Sequence, residues 1–375
     1  MGRRTVVARR PSSVLASLFI SPVQIAQNNA EPSPLAHAPA DRFDVIPRSF
    51  PRHLQTRAHF AMGTRFNVFL DSPDEAEADA CFRTIFEEVD RLEDTFSRFC
   101  PGSELSRLNR LAGVGPVTTD PEVFQLLALA IDVSRKTDGA FDITTGRLTR
   151  AWRSAAKSSA PIDADDWAKL RASAGWSNLL LDPLARTVRF ANRELELDLG
   201  AIAKGYAVDC AIDRLESLQV GGIIDAGSSS IAATCDAASW GWLITIAHPL
   251  NPSSTTIQLP LDTRALSTSG VRGQSFTHNG LICSHLVDPT AREPFLAERS
   301  PQVLQTTVLA PVSTMADALS TAAFLLGPER GRAALERFDD CSALWILREG
   351  EDIVFRSHRW PGQVASRERY IYGQT

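Results

Sequence analysis

Lys204 lies within Leu195–Asp209, LELDLGAIAKGYAVD, a stretch whose residue types suit an anionic ligand. Leu195, Leu197 and Leu199 alternate with Glu196 and Asp198, the period of a half-buried strand. Gly200 and Gly205 bracket the turn that follows, where backbone must approach something closely. Val208, Ala211, Ile212 and Leu215 then recur at helical spacing, with Asp209 and Asp213 outside that stripe. The pattern predicts a strand, a glycine turn and a helix, with Lys204 beside the amides that open the helix. Glycines, exposed amides and a lysine at a helix N-terminus are the components of a phosphate site. The stretch matches neither the P-loop pattern nor the GxGxxG dinucleotide fingerprint.

A second group of oxygens sits in residues 314–327, TMADALSTAAFLLG. This reads as a helix with Ser313 or Thr314 as N-cap, Gly327 as its stop, and Met315, Leu319, Ala322 and Leu326 as its apolar stripe. Asp317 and Thr321 are four apart, so both oxygens project from one side of it. A carboxylate and a hydroxyl stacked in this way form a half-site for Mg²⁺, which completes its shell with water and substrate phosphates. The alternative is a solvated Asp and a Thr bonded back to its own helix.

The elements that position these groups are interleaved. Phe66, Val68 and Leu70 mark a strand, and Ser72-Pro73-Asp74-Glu75 reads as a capping box with proline at the first helical position. The helix that follows buries Phe82, Ile85, Phe86, Val89, Leu92 and Phe96. Asp120-Pro121-Glu122 opens another, through Val123, Leu126, Leu127, Ala130 and Ile131 to Gly139. Strands are expected at about 179–198, 222–234, 242–248 and 304–310, with a last pair near 343–355. Helices and strands do not alternate strictly, which points to α+β rather than a doubly wound sheet.

Seven motifs occur along the chain in one order. They are Met62-Gly63-Thr64 ahead of Phe66–Leu70, then Asp94–Asn109 (DTFSRFCPGSELSRLN), Thr137–Leu148 (TDGAFDITTGRL) and Leu197–Asp209. Thr268–Gly270 (TSG), Ser284–Pro289 (SHLVDP) and Ala316–Ala322 (ADALSTA) complete the series. In these motifs, over roughly residues 55–350, the chain resembles the ApbE-type FAD:protein FMN transferases. The resemblance implies a single compact, T-fold-like α+β domain of interleaved helices and mostly antiparallel strands. It implies a reaction that splits the pyrophosphate of FAD, the substrate, and attaches FMN by a phosphoester bond to a Thr or Ser of a target flavoprotein, releasing AMP. An electron-transfer flavoprotein subunit is the kind of acceptor it suggests. Two alternatives share the site: an FAD pyrophosphatase giving free FMN and AMP, and a flavin-binding protein without turnover.

By the same resemblance, Mg²⁺ is held by Asp317, Thr321 and the backbone carbonyl of Ala201, and Lys204 pairs with the diphosphate. His285 is the general base for the incoming hydroxyl, a role suited to a group that titrates near neutrality. Met62, Phe99, Ala140, Phe141, Asp142, Asp198 and Leu286 are the FAD contacts. Met62 and Phe99 offer soft and aromatic surface for a ring system, and Asp142 and Asp198 accept hydrogen bonds from ribose or adenine. The family often has Tyr at position 99, so Phe99 keeps the stacking face without the hydroxyl. Two motifs depart from the pattern. A Gly-Gly-Asp turn is replaced in Ile223–Ser230 (IIDAGSSS), where Ser228 would be strained if the turn needs a positive φ. The family's DPxTGxP is here DPTAREP, with Ala291 and Arg292 in place of Thr-Gly.

Composition narrows the setting. The 375 residues, 44% hydrophobic and 22% charged, suit an ordinary globular chain, and a net charge of −5 gives no sign of a nucleic-acid or membrane surface. No run of eighteen apolar residues spans a bilayer. Residues 1–50 read as a signal-like or disordered segment and linker, 51–360 as the transferase domain and 361–375 as a tail. Arg9-Arg10 ahead of a short apolar run suggests export to the periplasm or the outer face of the inner membrane. Cys81, Cys100, Cys210, Cys235, Cys283 and Cys341 form no CxxC pair, and their scatter fits reduced, buried thiols that favour the cytoplasm. Compartment therefore stays open. So does oligomeric state, a homo-oligomer being among those allowed.

Overall fold

Phe66, Val68 and Leu70 alternate along the strand Thr64–Asp71 and are fully buried, and Asn67 and Phe69 on its other face are buried too. A strand covered on both faces belongs inside a layered domain. The computed structural model describes residues 43–47, 53–158, 162–227, 229–238, 242–250, 256–260, 264–271, 275–278, 281–284, 286–291, 301–361 and 363–365. Residues 1–42, Ser228, His285, Arg292 and residues 366–375 lie outside them, whereas Phe43–Pro47 of the expected N-terminal linker forms a strand.

Thr64–Asp71 sits in an eight-stranded sheet whose neighbours run Asp352–His358, Ser342–Glu349, Gln302–Ala310, Ala265–Gly270, Ser230–Ala233, Gly222–Ala226, Thr64–Asp71 and Leu54–Ala61. Every neighbouring pair is antiparallel. The helix Ser313–Leu335 packs on the strands Ala265–Gly270 and Gln302–Ala310, the helix Ala203–Ser217 lies against it, and Glu75–Phe96 packs on Ala203–Ser217. A four-stranded antiparallel sheet (Phe43–Pro47, Trp242–Ala247, Thr256–Pro260, Gln363–Ala365) and a small three-stranded one (Val117–Thr118, Thr187–Phe190, Leu179–Asp182) complete the α+β fold. No described helix is long and apolar enough to cross a membrane.

Several expectations hold in detail. Asp120 caps the helix Pro121–Lys136 by accepting from the Glu122 amide, with Pro121 at its start. Others need correction. The cap of the helix Glu75–Phe96 is Asp74, which accepts from the amides of Ala76 and Glu77, so Pro73 precedes the helix. Ser72 instead donates to Glu77 Oε2 at 2.9 Å; the carboxylate, at least as good a cap, stands nearer the first turn. The expected strand at 222–234 is a hairpin of Gly222–Ala226 and Ser230–Ala233.

Leu195–Leu199 is not a ladder strand. Its leucines are buried, but only one parallel bridge, Thr145 to Glu196, joins it to another segment. Its backbone pairs on one side with 143–146, the Asp198 amide donating to the Ile143 carbonyl at 2.8 Å and the Gly146 amide to the Glu196 carbonyl at 2.9 Å. On the other side the Asn109 side chain accepts from the Leu197 amide at 2.7 Å and donates to the Leu197 carbonyl at 3.0 Å. Gly327 stops the first helix as expected, its backbone being non-helical at φ 74°, and a second helix starts at Pro328 and runs on across the kink to Leu335. Among the cysteines, Cys81, Cys210 and Cys341 are buried free thiols, whereas Cys100 is half-buried and Cys235 exposed.

Candidate active site

Two helix N-termini converge on Lys204 and Asp317. The helix Ala203–Ser217 begins at Ile202 without a capping side chain of its own, and the helix Ser313–Leu335 begins as bare, at Val312. Each is capped by the other. Asp317 Oδ2 accepts from the Gly205 amide at 3.1 Å, and Asp209 accepts from the amides of Ser313 and Thr314 at 3.1 and 2.8 Å. Asp209 was expected outside the buried stripe; it is 3% exposed because its carboxylate is the cap. Ser313 and Thr314, the expected caps, are instead the capped residues.

Lys204 Nζ lies 3.3 Å from Asp317 Oδ2 and 3.4 Å from the Gly200 carbonyl. Beneath Asp317 is a bed of hydroxyls from the sheet. Ser267 and Ser230 face each other across neighbouring strands and stand 3.2 and 3.5 Å from Asp317 Oδ1. Ser269 lies 2.9 Å from Ser320 Oγ and 3.3 Å from Thr321 Oγ1. The Thr321 hydroxyl also points back to the Asp317 carbonyl, 3.4 Å away, as the alternative reading has it, whereas Asp317 is buried rather than solvated.

A second group adjoins the first through Gly200, whose amide donates to Asp198 Oδ1 at 2.9 Å. Arg98, nearly buried, lies 3.4 Å from Asp198 and 3.5 Å from Glu196, and donates to the Gly146 carbonyl at 3.0 Å. Its guanidinium stacks 4.9 Å from the ring of Phe99, which is 73% exposed. An exposed aromatic backed by a cation offers one open face to a planar ligand.

The remaining predicted contacts are more enclosed. Ala140 and Phe141 are buried, the latter at 1% exposure in the core, so its side chain presents no surface to a ligand. Asp142 uses both oxygens within the protein, accepting from Thr144 and from the Trp176 amide at 2.9 Å, and burial pushes its carboxyl above the ordinary range. Met62 occupies the hairpin turn at φ 51°, half-buried against the core. Leu286 packs with a small satellite cluster of Val271, Leu304, Phe324 and Leu325. The loop after it is held from the helix Ala164–Ser173: Arg171 donates to the carbonyls of Pro289 and Thr290, and Trp167 Nε1 to that of Ala291 at 3.3 Å.

A family model described as the ApbE family matches residues 62–345. The chain belongs to this family. It is 30% identical over 297 residues to an FAD:protein FMN transferase of Klebsiella pneumoniae (strain 342), covering 79% of this chain and 90% of that one. A second FAD:protein FMN transferase, from Treponema pallidum (strain Nichols), is 29% identical over 314 residues, 78% of this chain and 84% of its own. Among solved structures, the apo flavinyl transferase ApbE of Pseudomonas stutzeri superposes with a TM-score of 0.68 at 27% identity, covering 82% of this chain and 95% of that one. The ApbE protein of Thermotoga maritima gives 0.69 at 26%, covering 80% and 96%.

Within this ApbE-family site the candidate metal donors are all oxygens: the Asp317 carboxylate, the Thr321 hydroxyl and the Ala201 carbonyl in the turn before the helix. A hard, oxygen-only set fits Mg²⁺ and offers nothing to a thiophilic metal. A different trio, Glu88, Glu122 and Cys210, also has ligand spacing, but Arg91 already pairs with both carboxylates at 2.9 and 2.8 Å. Sequence reasoning missed Ser230, Ser267, Arg98, Trp167 and Arg171. The signal for Ser267 and Ser269 was present, since alternate hydroxyls beside a TSG motif face one side of a strand.

Proposed function

We propose that this chain is a Mg²⁺-dependent FAD:protein FMN transferase that exports its chemistry to an acceptor flavoprotein. The observation that carries this reading is the convergence of Lys204, Asp317 and Thr321 where two helix N-termini meet. That is a place for a charged diphosphate and its counter-ion, in a chain whose relatives bear the activity as their name.

In the reaction a hydroxyl oxygen of the acceptor forms a bond to the FMN phosphorus, the anhydride bond to AMP breaks, and the hydroxyl proton leaves to a base. His285 is the base we assign, though its placement lies outside the described residues. Lys204 binds and orients the diphosphate, and Asp198 and the open face of Phe99 hold the nucleotide and ring portions. Asp317, Thr321 and the Ala201 carbonyl would hold Mg²⁺, which when bound neutralises charge on the diphosphate oxygens. The basic, then apolar N-terminal stretch supports action at the periplasmic face, on an electron-transfer flavoprotein subunit.

The test is purified protein with FAD, Mg²⁺ and a Thr-bearing acceptor peptide, following FMN, AMP and flavinylated peptide, with Asp317→Ala alongside. Flavinylated peptide that needs Mg²⁺ and disappears in Asp317→Ala supports the transferase. Free FMN with untouched peptide, for every acceptor offered, supports the pyrophosphatase. FAD bound but uncut in both proteins defeats the enzymatic reading.

A further inference from the structure

The two caps described above are not independent decorations of two helices. Asp209 lies in the second turn of the helix Ala203–Ser217 and closes the first turn of Ser313–Leu335; Asp317 lies in the second turn of the latter and closes the first turn of the former. Ser313 Oγ adds a third strut by donating to the Gly205 carbonyl at 2.7 Å. Gly205 therefore makes one bond through its amide to Asp317 and another through its carbonyl to Ser313, the residue whose own amide Asp209 holds. The Thr314 hydroxyl also donates to Asp209 Oδ2, so that oxygen receives two donors from one residue. The contact is tight enough that a Cβ on Gly205 would lie 2.9 Å from the Ser313 carbonyl and the Thr314 Cα.

We infer that Asp209, buried and bonded to Ser313 and Thr314, is a positioning residue for the transferase site, fixing the helix start that carries Asp317 against the one that carries Lys204 and Gly205. The physical reason is that neither helix has a cap of its own, so each first turn is ordered only while the other helix is in register with it. Releasing the Ser313 and Thr314 amides lets the first turn of Ser313–Leu335 fray, and Asp317 sits directly on that turn. The consequence reaches Gly205, an amide that Asp209 does not touch. The inference rests on the proposed function only where it concerns the ligand site; the coupling between the two caps is a property of the fold itself.

Asp209→Asn tests it above pH 8, where the carboxylate is ionised, because an Asn then puts a donor in place of one of the two oxygens that accept from the Ser313 and Thr314 amides. Thr314→Val removes only the hydroxyl partner and serves if Asp209→Asn does not fold. Leu215→Ala, a core truncation in the same helix that leaves both caps in place, gives the effect of lost stability alone. Amide hydrogen exchange at Gly205 in metal-free protein should accelerate about tenfold in Asp209→Asn and severalfold in Thr314→Val, beyond Leu215→Ala at matched global stability. Binding of Mn²⁺ as a magnesium probe, read by the loss of its free-ion electron paramagnetic resonance signal, should weaken by a similar factor. Gly205 exchange no faster than in Leu215→Ala overturns the inference. Unchanged Mn²⁺ affinity in Asp209→Asn overturns its extension to the site. If the unmodified protein binds no Mn²⁺, the metal assignment fails while Gly205 exchange still decides whether the caps are coupled.

Discussion

The Lys204 ammonium stands 3.3 Å from Asp317 Oδ2 although 113 positions separate them in the chain. The lysine side chain is 20% exposed and the carboxylate 6%, so the pair sits at the boundary of solvent and core. There an ion pair retains more of its attraction than on the surface, while each ion keeps a partial desolvation penalty. Asp317 offsets that penalty with donors from Gly205, Ser230 and Ser267, whereas among the described residues Lys204 has only a carbonyl besides it. The asymmetry means the lysine is the partner free to move. An arriving diphosphate competes with Asp317 for it.

The first prediction follows from this inequality. Lys204→Met should lower stability by about 1–3 kcal/mol, since Asp317 keeps three donors, yet reduce flavin transfer by about a hundredfold or more. Asp317→Ala should cost about 3–5 kcal/mol, because it strands the Gly205 amide and the ammonium together. Urea denaturation beside a turnover assay checks both. Equal stability losses for the two variants would refute the asymmetry.

Arg98 provides the second. Two carboxylates, Asp198 and Glu196, and the Gly146 carbonyl all converge on one guanidinium that is 8% exposed. Glu196 has Arg150 as a second partner, but among the described residues Asp198 has only the Gly200 amide besides. Arg98→Ala should destabilise by about 3 kcal/mol, and Arg98→Lys should recover charge without the planar stack beneath Phe99. Thermal melts would show the stability loss. A weaker flavin affinity in both variants, by quenching of flavin fluorescence, would show that the stack matters.

Much of this site was legible and much was not, for physical reasons. Asp317 and Thr321 could be read as neighbours because helical spacing is a local property, and Asp120-Pro121 because capping is too. Leu195, Leu197 and Leu199 were read correctly as buried and wrongly as a strand. Alternation encodes which side faces the core, not what satisfies the backbone, and the partners proved to be a short stretch of backbone at 143–146 on one side and the side chain of Asn109 on the other. In the sequence Asp209 falls outside the apolar stripe because its carboxylate breaks the run of apolar residues at helical spacing. Its partners arrive from 104 and 105 positions away, a distance over which periodicity carries no information.

The third prediction concerns pH. Burial pushes the Asp209 carboxyl up to about 8, with the Ser313 and Thr314 donors pulling the other way. An unfolded chain releases that proton near pH 4, so between about 4 and 8 the folded state holds a proton the unfolded state lacks. The contribution is fully present below the lower value and is lost as pH rises through the upper. Stability should therefore decline across that window, by at most about 1.4 kcal/mol per pH unit from this group, and Asp209→Asn should remove the slope. Urea midpoints at several pH values for both proteins check it; parallel curves would count against it.

The loop from Pro289 to Ala291 yields the fourth. Arg171→Ala removes two bonds to consecutive carbonyls and should cost about 1–2 kcal/mol. Leu286 lies three residues before the first of these anchors, so KM for FAD should rise more than kcat falls. A fall in kcat with KM unchanged would place the clamp outside substrate binding.

Gly205 sets two effects of opposite sign against each other. Replacing a helical glycine with alanine ordinarily stabilises by about 0.5–1 kcal/mol through backbone entropy. Here the new Cβ would meet the Ser313 carbonyl and Thr314 Cα at 2.9 Å and Asp317 Cβ at 3.0 Å, and the first two are backbone that cannot swing aside. Relief requires the two helices to separate by several tenths of an ångström, with an overpacking penalty of about 1–3 kcal/mol. The clash should win, leaving Gly205→Ala less stable by about 1–2 kcal/mol. Because the separation falls at the meeting point of Lys204 and Asp317, flavin transfer should drop by well over the factor that the stability loss explains. Denaturation midpoints and turnover measured on the same preparation decide it, and a variant more stable than the parent would show that the helices have room to spare.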